Sequence, residues 1–406
     1  MKLIMLKNNF KKGLESLGKI TGESITTLPI LKNILIQTID NRIKCSSTNL
    51  ELAIVVYVPG KIIETGSITI PFLITNTLIN NIASERINFE VSDASVVLQT
   101  DNYHAKIQGI KEEEFPIIPS IHEQNKHIEI KTATLRDALQ SVLGSVQTSG
   151  TKPELGGILI SVENETMKFV TTDGIRLSEK KIPNTQFKTK DGERYKIIVP
   201  QKTIQEVVRI ISPEEYEYVD IYIDQNQILF HTENIKIISR LINGEFPEYQ
   251  NIIPASVVTE VVVNKEQITQ ALKLVSSFTD RLNEVKIIIK EHTKNIEVYA
   301  FNQSLGENQY LVPAKIKNKE KEEVREAVFN WKFLLEGIKN IHSENIVMGF
   351  NSDNKPAVIK SPEDASYIYI IIRAAGEVII ENKKILLVRE YKPYGSELFM
   401  LPGGKE

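Results

Sequence analysis

Two series of amphipathic segments recur along the 406-residue chain at a nearly constant step. In the first series the segments begin at residues 8, 131 and 264, so that successive starts differ by 123 and 133. In the second series they begin at residues 71, 200 and 330, with differences of 129 and 130. Each segment places apolar residues at helical spacing, which predicts an α-helix. Two independent series with almost the same step indicate a threefold internal repeat.

The stretches between the predicted helices have the character of β-strands. They are rich in Ile and Val and are bounded by Asn, Asp, Gly or Pro, as in GILISVE (157–163) and QILFHT (227–232). A strand, a polar turn and a return strand also recur, with Asn49, Asp173 and Asn302 at the turns. Each repeat therefore contains two helices and several antiparallel strands. This pattern predicts an α+β fold with the helices on one face of each sheet.

The first two repeats close on similar segments, GIKEEEFPIIP (109–119) and LINGEFPEYQNIIP (241–254). Proline in both segments interrupts regular structure and is typical of a linker. We therefore expect domains at residues 1–124, 125–256 and 257–373, followed by a short β-rich extension at residues 374–406.

Composition excludes several classes of function. The chain has one cysteine, Cys45, so it has neither an internal disulfide nor a metal site built from clustered cysteines. The six histidines lack the spacing of a metal-binding helix, and no catalytic triad or phosphate-binding loop stands out. We expect no enzyme activity, no metal and no cofactor. The net charge of −3 excludes a uniformly basic surface but allows a basic patch.

The apolar runs give no indication of a membrane protein. The longest, such as residues 367–372, are far shorter than the roughly 20 residues that a membrane helix needs. The N-terminus places its lysines after a short apolar patch, whereas a secretory signal has its positive charge first. We expect a cytoplasmic protein that is not bound to a membrane.

Six motifs in order on this repeat carry a family resemblance. From residue 1 to about 373, and at the family's spacing, the chain resembles the bacterial sliding clamp, the beta subunit of DNA polymerase III. The motifs are TLPILKNILI (27–36), STNLEL (47–52), EEFP (113–116), TTDGIRL (171–177), LINGEFPEY (241–249) and SPEDASYIYIIIR (361–373).

The resemblance implies the DNA-clamp fold and a non-catalytic function. Two chains would form a head-to-tail homodimeric ring of six domains, with helices lining the hole and sheets outside. The ring would encircle duplex DNA and tether the replicative polymerase. The implied partners are double-stranded DNA without sequence preference, the alpha subunit of DNA polymerase III, the clamp loader complex, other proteins with a clamp-binding motif, and a second copy of the chain.

Basic residues on the predicted helices fit such a ring, because lysines and arginines facing the hole attract phosphates without reading sequence. A plainer interpretation is that amphipathic helices carry lysine on their solvated face. Where the family tends to have arginine before the TLPIL motif, this chain has ESIT (23–26), which puts one DNA contact in doubt. The DNA-facing candidates are Lys11, Lys12, Arg136, Lys152, Lys202, Arg209 and Lys273.

The resemblance also implies an apolar groove for partner peptides on domain three and its junction with domain two. Most of its residues would otherwise be read as ordinary core. Ile175 stands where some members have histidine. The groove candidates are Leu155, Thr172, Ile175, Leu177, Pro247, Ile252, Asn330, Pro356, Ile368, Ile370 and Arg373. For the dimer interface, Ile107 is expected to meet Leu274 and Val275 of the second chain.

The extension at residues 374–406 is foreign to the clamp family. Its segment EVIIENKKILLVREY reads as two strands joined by a polar turn, and with LPGGKE it resembles the start of a Nudix hydrolase. The catalytic helix with its metal-binding glutamates would come after Gly404, so the fragment alone lacks the chemistry. Two alternatives to a clamp stay open: a Nudix-type nucleotide hydrolase with a clamp-like regulatory part, and a repeat scaffold with no role on DNA.

Overall fold

A computed structural model describes residues 1–22, 28–121, 126–148, 152–163, 165–189, 194–318, 326–351 and 356–371, together with the backbone at 380–381 and 384–385. Arg373 of the predicted groove and most of the extension lie outside these residues.

Within the described residues the chain forms six α-helices, two in each predicted repeat, which confirms the helical periodicity of the sequence. They are α1 (Lys7–Gly22), α2 (Phe72–Asn81), α3 (Thr132–Leu143), α4 (Gln201–Ile210), α5 (Lys265–Val275) and α6 (Trp331–Lys339).

The strands also follow the repeat. In the first repeat they are β1 (Lys2–Leu6), β2 (Asn33–Ile39), β3 (Arg42–Thr48), β4 (Leu52–Val58), β5 (Gly60–Glu64), β6 (Ser67–Pro71), β7 (Arg86–Ser92), β8 (Ser95–Gln99) and β9 (His104–Gln108). In the second they are β10 (Lys126–Lys131), β11 (Gly157–Glu163), β12 (Thr166–Thr172), β13 (Arg176–Pro183), β14 (Phe187–Thr189), β15 (Tyr195–Pro200), β16 (Tyr218–Ile223), β17 (Gln227–His231) and β18 (Ile235–Arg240).

The third repeat and the extension supply the remaining strands. These are β19 (Thr259–Asn264), β20 (Glu284–Lys290), β21 (Asn295–Asn302), β22 (Gly306–Asn318), β23 (Glu326–Asn330), β24 (Asn345–Phe350), β25 (Ala357–Lys360), β26 (Tyr367–Ile371), β27 (Ile380–Glu381) and β28 (Lys384–Ile385). The last two pair antiparallel, at the place where the sequence predicts a hairpin in the extension.

The chain divides into two compact units that do not coincide with the repeats, because the second repeat contributes to both. The first unit comprises residues 1–137 and 183–243. It contains a five-stranded sheet in the order β5-β1-β7-β8-β9 and a nine-stranded sheet in the order β14-β10-β16-β17-β18-β4-β3-β2-β6. On α1, Phe10, Leu14 and Leu17 are fully buried, and the ring of Phe10 meets Phe89 edge-on at 6.2 Å.

The second unit comprises residues 138–182 and 244–406. Its strands follow the order β11-β12-β13-β26-β25-β24-β19-β22-β21-β20-β23. The core of its third-repeat part lies between these strands and the helices, with Ile268, Leu272 and Val275 of α5 and Leu334 and Ile338 of α6 buried in one cluster. Burying each such side chain contributes about 1.5–3 kcal/mol.

Adjacent repeats are joined by strand pairing. In the first unit β18 of repeat two pairs antiparallel with β4 of repeat one, and Ile238 faces Ala53. In the second unit β26 of repeat three pairs with β13 of repeat two, and Ile370 faces Leu177. The last strand of one repeat therefore extends the sheet of the repeat before it.

The polar turns predicted from the sequence share one hydrogen-bonding pattern. The Oδ1 atom of Asn49 accepts from the backbone N–H groups two and three residues later, at 3.1 and 2.8 Å. Asp173 does the same at 2.9 and 2.9 Å, and Asn302 at 2.9 and 3.2 Å. These Asx turns are favoured by Asn and Asp because their short side chains can replace a backbone acceptor. They fix the alignment of the three repeats.

Cys45 is buried on β3, and burial raises the pKa of its thiol to about 12.

Among the residues that the structure describes, none of the helices has the length and apolar character of a membrane span. The same residues contain no group of three or more His, Cys, Asp or Glu side chains that could hold a metal ion.

Candidate functional site

Several predicted groove residues lie on one face of the sheet where β13 meets β26. Leu177 lies opposite Ile370, and Glu179 lies opposite Ile368. Alternation along the strands places their neighbours on the other face, where Tyr369 packs against Gly337 of α6. The turn that leads into β13 presents Ile175, which is half-exposed. The pairing of β13 with β26 thus creates an apolar face beside an accessible isoleucine.

The segment after Gly244 covers part of this face. The buried Tyr249 hydroxyl donates to Oε2 of Glu179 at 2.7 Å, and Lys181 Nζ lies 3.0 Å from the other carboxylate oxygen. Phe246 packs edge-on against Tyr249 with 6.3 Å between ring centroids. Burial, together with the hydrogen bond to Glu179, raises the pKa of Tyr249, so that the phenol stays protonated. This hydrogen bond anchors the segment that carries Pro247 and Ile252, both of which are half-buried.

The other groove candidates have local structural roles. Thr172 is buried, and its hydroxyl donates to the carbonyl of Arg176 at 2.7 Å, which closes the Asx turn. Asn330 caps α6 by accepting from the N–H of Lys332 at 3.0 Å. Leu155 is buried and Pro356 is half-buried. Arg373 lies outside the described residues.

Sequence reasoning missed Arg176, which connects this turn to α6. Its Nε donates to Oδ2 of Asp173 at 2.8 Å, and its guanidinium carbon lies 4.2 Å from the ring centroid of Phe333. The hydroxyl of Tyr369 donates to the carbonyl of Phe333 at 2.8 Å. Arg176 stands in the TTDGIRL motif, but its contact with Phe333 is far along the chain and has no local signature. Arginine stacked on an aromatic ring and paired with a carboxylate holds a fixed orientation.

The predicted DNA-facing residues fall into two groups. Lys12 pairs with Glu215 at 3.3 Å, Lys11 reaches Glu15 at 4.0 Å, and Arg136 donates to the carbonyl of Ile211 at 3.5 Å. Lys152, Lys202 and Lys273 form the second group and are exposed, as Lys12 also is.

Arg209 has the most extensive contacts of these basic residues. It pairs with Glu206 on α4 and donates to the carbonyls of Glu15 at 2.9 Å and Ser16 at 2.8 Å. Because both carbonyls belong to α1, Arg209 ties two helices of the first unit together.

The three dimer candidates differ in accessibility. Leu274 is half-exposed on α5, whereas Val275 is fully buried in the core of the second unit. Ile107 is nearly buried on β9, the edge strand of the five-stranded sheet. Of the two α5 residues, Leu274 is therefore the one exposed to solvent.

Three repeats of two helices on antiparallel sheets, joined by strand pairing, define the class of DNA-clamp folds. The three domains match, in order, the N-terminal domain of the DNA polymerase III beta subunit (residues 1–119), its central domain (129–248) and its C-terminal domain (250–374). The chain belongs to the DNA polymerase III beta subunit family, the bacterial sliding clamps. The family is one of non-catalytic processivity factors.

Individual relatives agree with this assignment. The chain is 25% identical to the beta sliding clamp of Bacillus subtilis over 92% of its length and 99% of the relative. It is 24% identical to that of Synechococcus elongatus over 92% of its length and 98% of the relative. The crystal structure of the B. subtilis clamp superposes with a TM-score of 0.87 at 25% identity, covering 93% of this chain and all (100%) of that one.

A crystal structure described as a DNA polymerase III beta subunit of Eubacterium rectale gives a TM-score of 0.85 at 26% identity, again over 93% of this chain and 100% of that one. These matches support a DNA sliding clamp. They offer no support for the Nudix hydrolase alternative.

Proposed function

We propose that the chain closes as a head-to-tail homodimer around duplex DNA and tethers the polymerase III alpha subunit and other partners through the groove at β13 and β26. The observation that carries this proposal is a pair of unmatched strand edges. Each internal junction pairs the last strand of one repeat with the strand after the Asx turn of the repeat before it. In the described residues β9 of repeat one and residues 306–313 of β22 have no such neighbour.

The strand pairing at the two internal junctions predicts the register of the proposed junction between two chains. In the hairpin of repeat one, Ala53 faces Thr48, and in the hairpin of repeat three, Glu307 faces Phe301. Glu307 therefore corresponds to Ala53 of repeat one. Lys106 corresponds to Ile238 and Ile370, because each lies two residues after the first residue of its strand that pairs with the preceding strand. Transferring the pairing of β18 with β4 therefore places Lys106 of one chain opposite Glu307 of the other. Opposite charges across antiparallel strands stabilise their pairing.

Helix contacts support the same closure. At the internal junctions the second helix of one repeat reaches a carbonyl on the first helix of another: Arg209 donates to Ser16, and Asn340 donates to Ser141 at 3.0 Å. Alignment of the first helices puts Leu274 at the position of Ser16 and Ser141. The matching end of α2 carries Asn80 and Asn81, and we propose that it meets α5 of the second chain. Two such junctions close a ring without leaving a free edge.

The first-unit junction supports assigning the peptide groove to β13 and β26 alone. At the turn of repeat one, Glu51 occupies the position of Ile175 and lies 3.6 Å from Arg240. On the strand, Lys236 occupies the position of Ile368. Charged side chains thus replace the apolar ones, and an apolar peptide side chain would have to displace their water.

For DNA, we propose that the exposed Lys202 and Lys273, together with the lysines of α1, face the hole. Such contacts act through phosphate charge, which suits a ring that must slide. We further propose that the domains comprise residues 1–124, 125–256 and 257–373. We also propose that the clamp loader is the partner that places the ring on DNA.

Sedimentation velocity tests the closure. Leu274→Asp is expected to give monomers, because it buries an unpaired carboxylate where α5 is proposed to meet α2 of the second chain. Ile63→Asp, at a similarly exposed position on β5, is the matched control and should leave the dimer intact. An unchanged dimer for Leu274→Asp would contradict the proposed interface.

A charge reversal tests the register. Lys106→Glu and Glu307→Lys should each weaken the dimer roughly 2- to 30-fold, since a cross-strand ion pair contributes about 0.2–1 kcal/mol and the ring contains two. The double variant should regain the affinity of the original chain. If the double variant is weaker than both single ones, the register is wrong.

A further inference from the structure

One apolar position is exposed in repeat three although it is buried in the other two repeats. Leu31, Leu155 and Leu282 correspond, because each lies two residues before the first residue of β2, β11 or β20. Leu31 and Leu155 are 2% and 4% exposed, whereas Leu282 is 62% exposed. Repeat three therefore presents a large apolar side chain to solvent where the other repeats cover it.

A strand edge beside this position shows the same contrast. Thr69, Ile198 and Val328 correspond, because each lies two residues before the last residue of β6, β15 or β23. Thr69 is fully buried and Ile198 is 4% exposed, whereas Val328 is only half-buried. In the described residues β23 is the last strand of its sheet. Such an edge offers backbone N–H and C=O groups to another chain.

Leu282 and Val328 belong to one continuous surface. The Nδ2 atom of Asn330 donates to the carbonyl of Leu282 at 3.4 Å, and the N–H of Trp331 donates to the carbonyl of Asn283 at 2.9 Å. These two bonds hold the turn that carries Leu282 against the end of β23. Val328 lies two residues earlier on that strand, roughly 7 Å away along it. We call Leu282 and the outer edge of β23 at Val328 the β23 surface.

In repeat one the equivalent surface is covered by the segment GIKEEEFPIIP (109–119). Ile110 and Thr69 exchange two backbone hydrogen bonds of 3.0 Å each. Phe115 follows in an extended conformation, with φ of −80° and ψ of 134°, and is 6% exposed. The segment thus pairs with the edge of β6 and then buries an aromatic side chain.

In repeat two the segment after β18 covers the equivalent surface in the same way. The N–H of Ile242 donates to the carbonyl of Ile198 at 2.9 Å. The chain then passes the turn before β11, where a Cβ atom on Gly244 would lie 3.4 Å from Cβ of Glu154. Phe246 follows and is 3% exposed. Two segments of one chain therefore occupy the same kind of surface.

The two covering segments share a sequence that suits this position. Both contain Glu-Phe-Pro, at residues 114–116 and 245–247, and both glutamates are exposed. Proline restricts the phenylalanine before it to extended conformations. Repeat three has Arg281 before its exposed leucine, where repeat two has Glu154. An acidic residue beside the phenylalanine would therefore meet a positive charge in repeat three.

We propose that the β23 surface binds an extended peptide segment of another protein that carries Glu-Phe-Pro, as the chain's own covering segments do. The peptide backbone pairs with Val328, the phenylalanine packs on Leu282, and the glutamate lies near Arg281. In such strand addition, main-chain hydrogen bonds give affinity and side-chain pockets give specificity. The site is separate from the proposed groove at β13 and β26. It is also separated by β20 and β21 from β22, where the second chain is proposed to pair.

Fluorescence anisotropy on the full chain tests the proposal with a labelled peptide LINGEFPEY, a copy of residues 241–249. The peptide should bind saturably. Leu282→Asp should weaken binding at least about tenfold, because the phenylalanine would bury an unpaired carboxylate. Ile63→Asp, at an exposed position on β5, is the control and should bind like the original chain. Absence of saturable binding, or equal affinity for Leu282→Asp and the original chain, would overturn the proposal.

Two altered peptides test the binding mode. LPNGEFPEY has proline in place of the isoleucine that pairs with the strand edge, so it lacks that N–H donor and should bind at least about threefold more weakly. LINGEAPEY lacks the aromatic side chain and should bind at least about tenfold more weakly. Equal affinity of all three peptides would show that neither strand pairing nor the phenylalanine is used.

A groove variant separates this site from the proposed partner groove. Ile175→Asp should bind LINGEFPEY as tightly as the original chain does, whether or not the groove itself binds clamp partners. Loss of the peptide in Ile175→Asp but not in Leu282→Asp would place it in the groove and overturn the proposal.

Hydrogen exchange locates the bound peptide without any substitution. Saturating LINGEFPEY should slow the exchange of amides at residues 326–330 at least about tenfold, because the peptide covers the edge of β23. Amides of the edge strand β9 (His104–Gln108) serve as the internal control and should exchange at the same rate with and without the peptide. Unchanged exchange on β23 at saturation would contradict the proposed site.

Discussion

The hydroxyl of Tyr249 donates to the carboxylate of Glu179 across 2.7 Å in an environment where both side chains are almost fully buried. The partners are 70 residues apart in sequence. Their hydrogen bond fixes the segment after Gly244 against β13, and these two elements form the wall and the floor of the proposed partner groove. Lys181 neutralises the same carboxylate from its other side.

Tyr249→Phe is expected to destabilise the second unit by about 1–3 kcal/mol, because it leaves a buried carboxylate oxygen without a donor. Chemical denaturation measures the loss. Tyr57→Phe is a suitable control, since Tyr57 is only half-buried on β4. An unchanged midpoint for Tyr249→Phe would mean that Lys181 alone satisfies Glu179.

Alkaline pH should lower the unfolding free energy through the ionisation of a second buried phenol, Tyr367. Burial raises the pKa of Tyr367 to about 12 from its ordinary value of 10.0. The folded state therefore holds a proton that the unfolded state releases, and its stabilising contribution is complete below pH 10 and is lost as pH rises towards 12. Two pH units correspond to about 2–3 kcal/mol.

Unfolding free energy measured from pH 9 to 12 should fall less steeply in Tyr367→Phe than in the original chain. Tyr249 and Tyr369, whose pKa values are also raised, continue to contribute in both proteins. Identical slopes would contradict the assignment to Tyr367.

Ile175 should decide peptide binding at the proposed groove. Ile175→Asp places a charge at its half-exposed rim and is expected to weaken a clamp-binding peptide by at least about tenfold, since burying an unpaired carboxylate is costly. Leu50→Asp is the matched control, because Leu50 is similarly exposed in the equivalent turn of repeat one. Fluorescence anisotropy measures both. Equal losses would show that the effect is not local to the groove.

Arg209 and Lys202 lie on the same helix but should respond differently to truncation. Arg209→Ala removes the link from α4 to two carbonyls of α1 and unpairs the mostly buried Glu206, so it should lower unfolding free energy by about 1–3 kcal/mol. Lys202→Ala should leave stability unchanged and reduce the salt dependence of DNA binding by about one counterion. If Lys202→Ala leaves the salt slope unchanged, Lys202 does not contact phosphate.

The helices and the three-domain fold were predictable from the sequence because they depend on local periodicity. The starts of the two series of apolar segments matched the starts of all six helices to within one residue. The Asx turns were also visible, since Asn49, Asp173 and Asn302 act on backbone groups two and three residues away.

Long-range relationships were not predictable in the same way. Arg209 is indistinguishable in sequence from a solvated helix arginine, and only packing of α4 against α1 gives it two carbonyl acceptors. Asn330, which stays a predicted groove residue, also caps the start of α6. Val275 follows Leu274 directly, but the 100° helical step turns it into the core.

The burial of Cys45 has a practical consequence for single-molecule work on this clamp. A thiol with a pKa near 12 is almost entirely protonated at neutral pH and is shielded from reagents in solution. A cysteine introduced on an exposed surface would therefore be the reactive one in the folded chain. A fluorophore could be attached at a chosen position while the native residue stays in place.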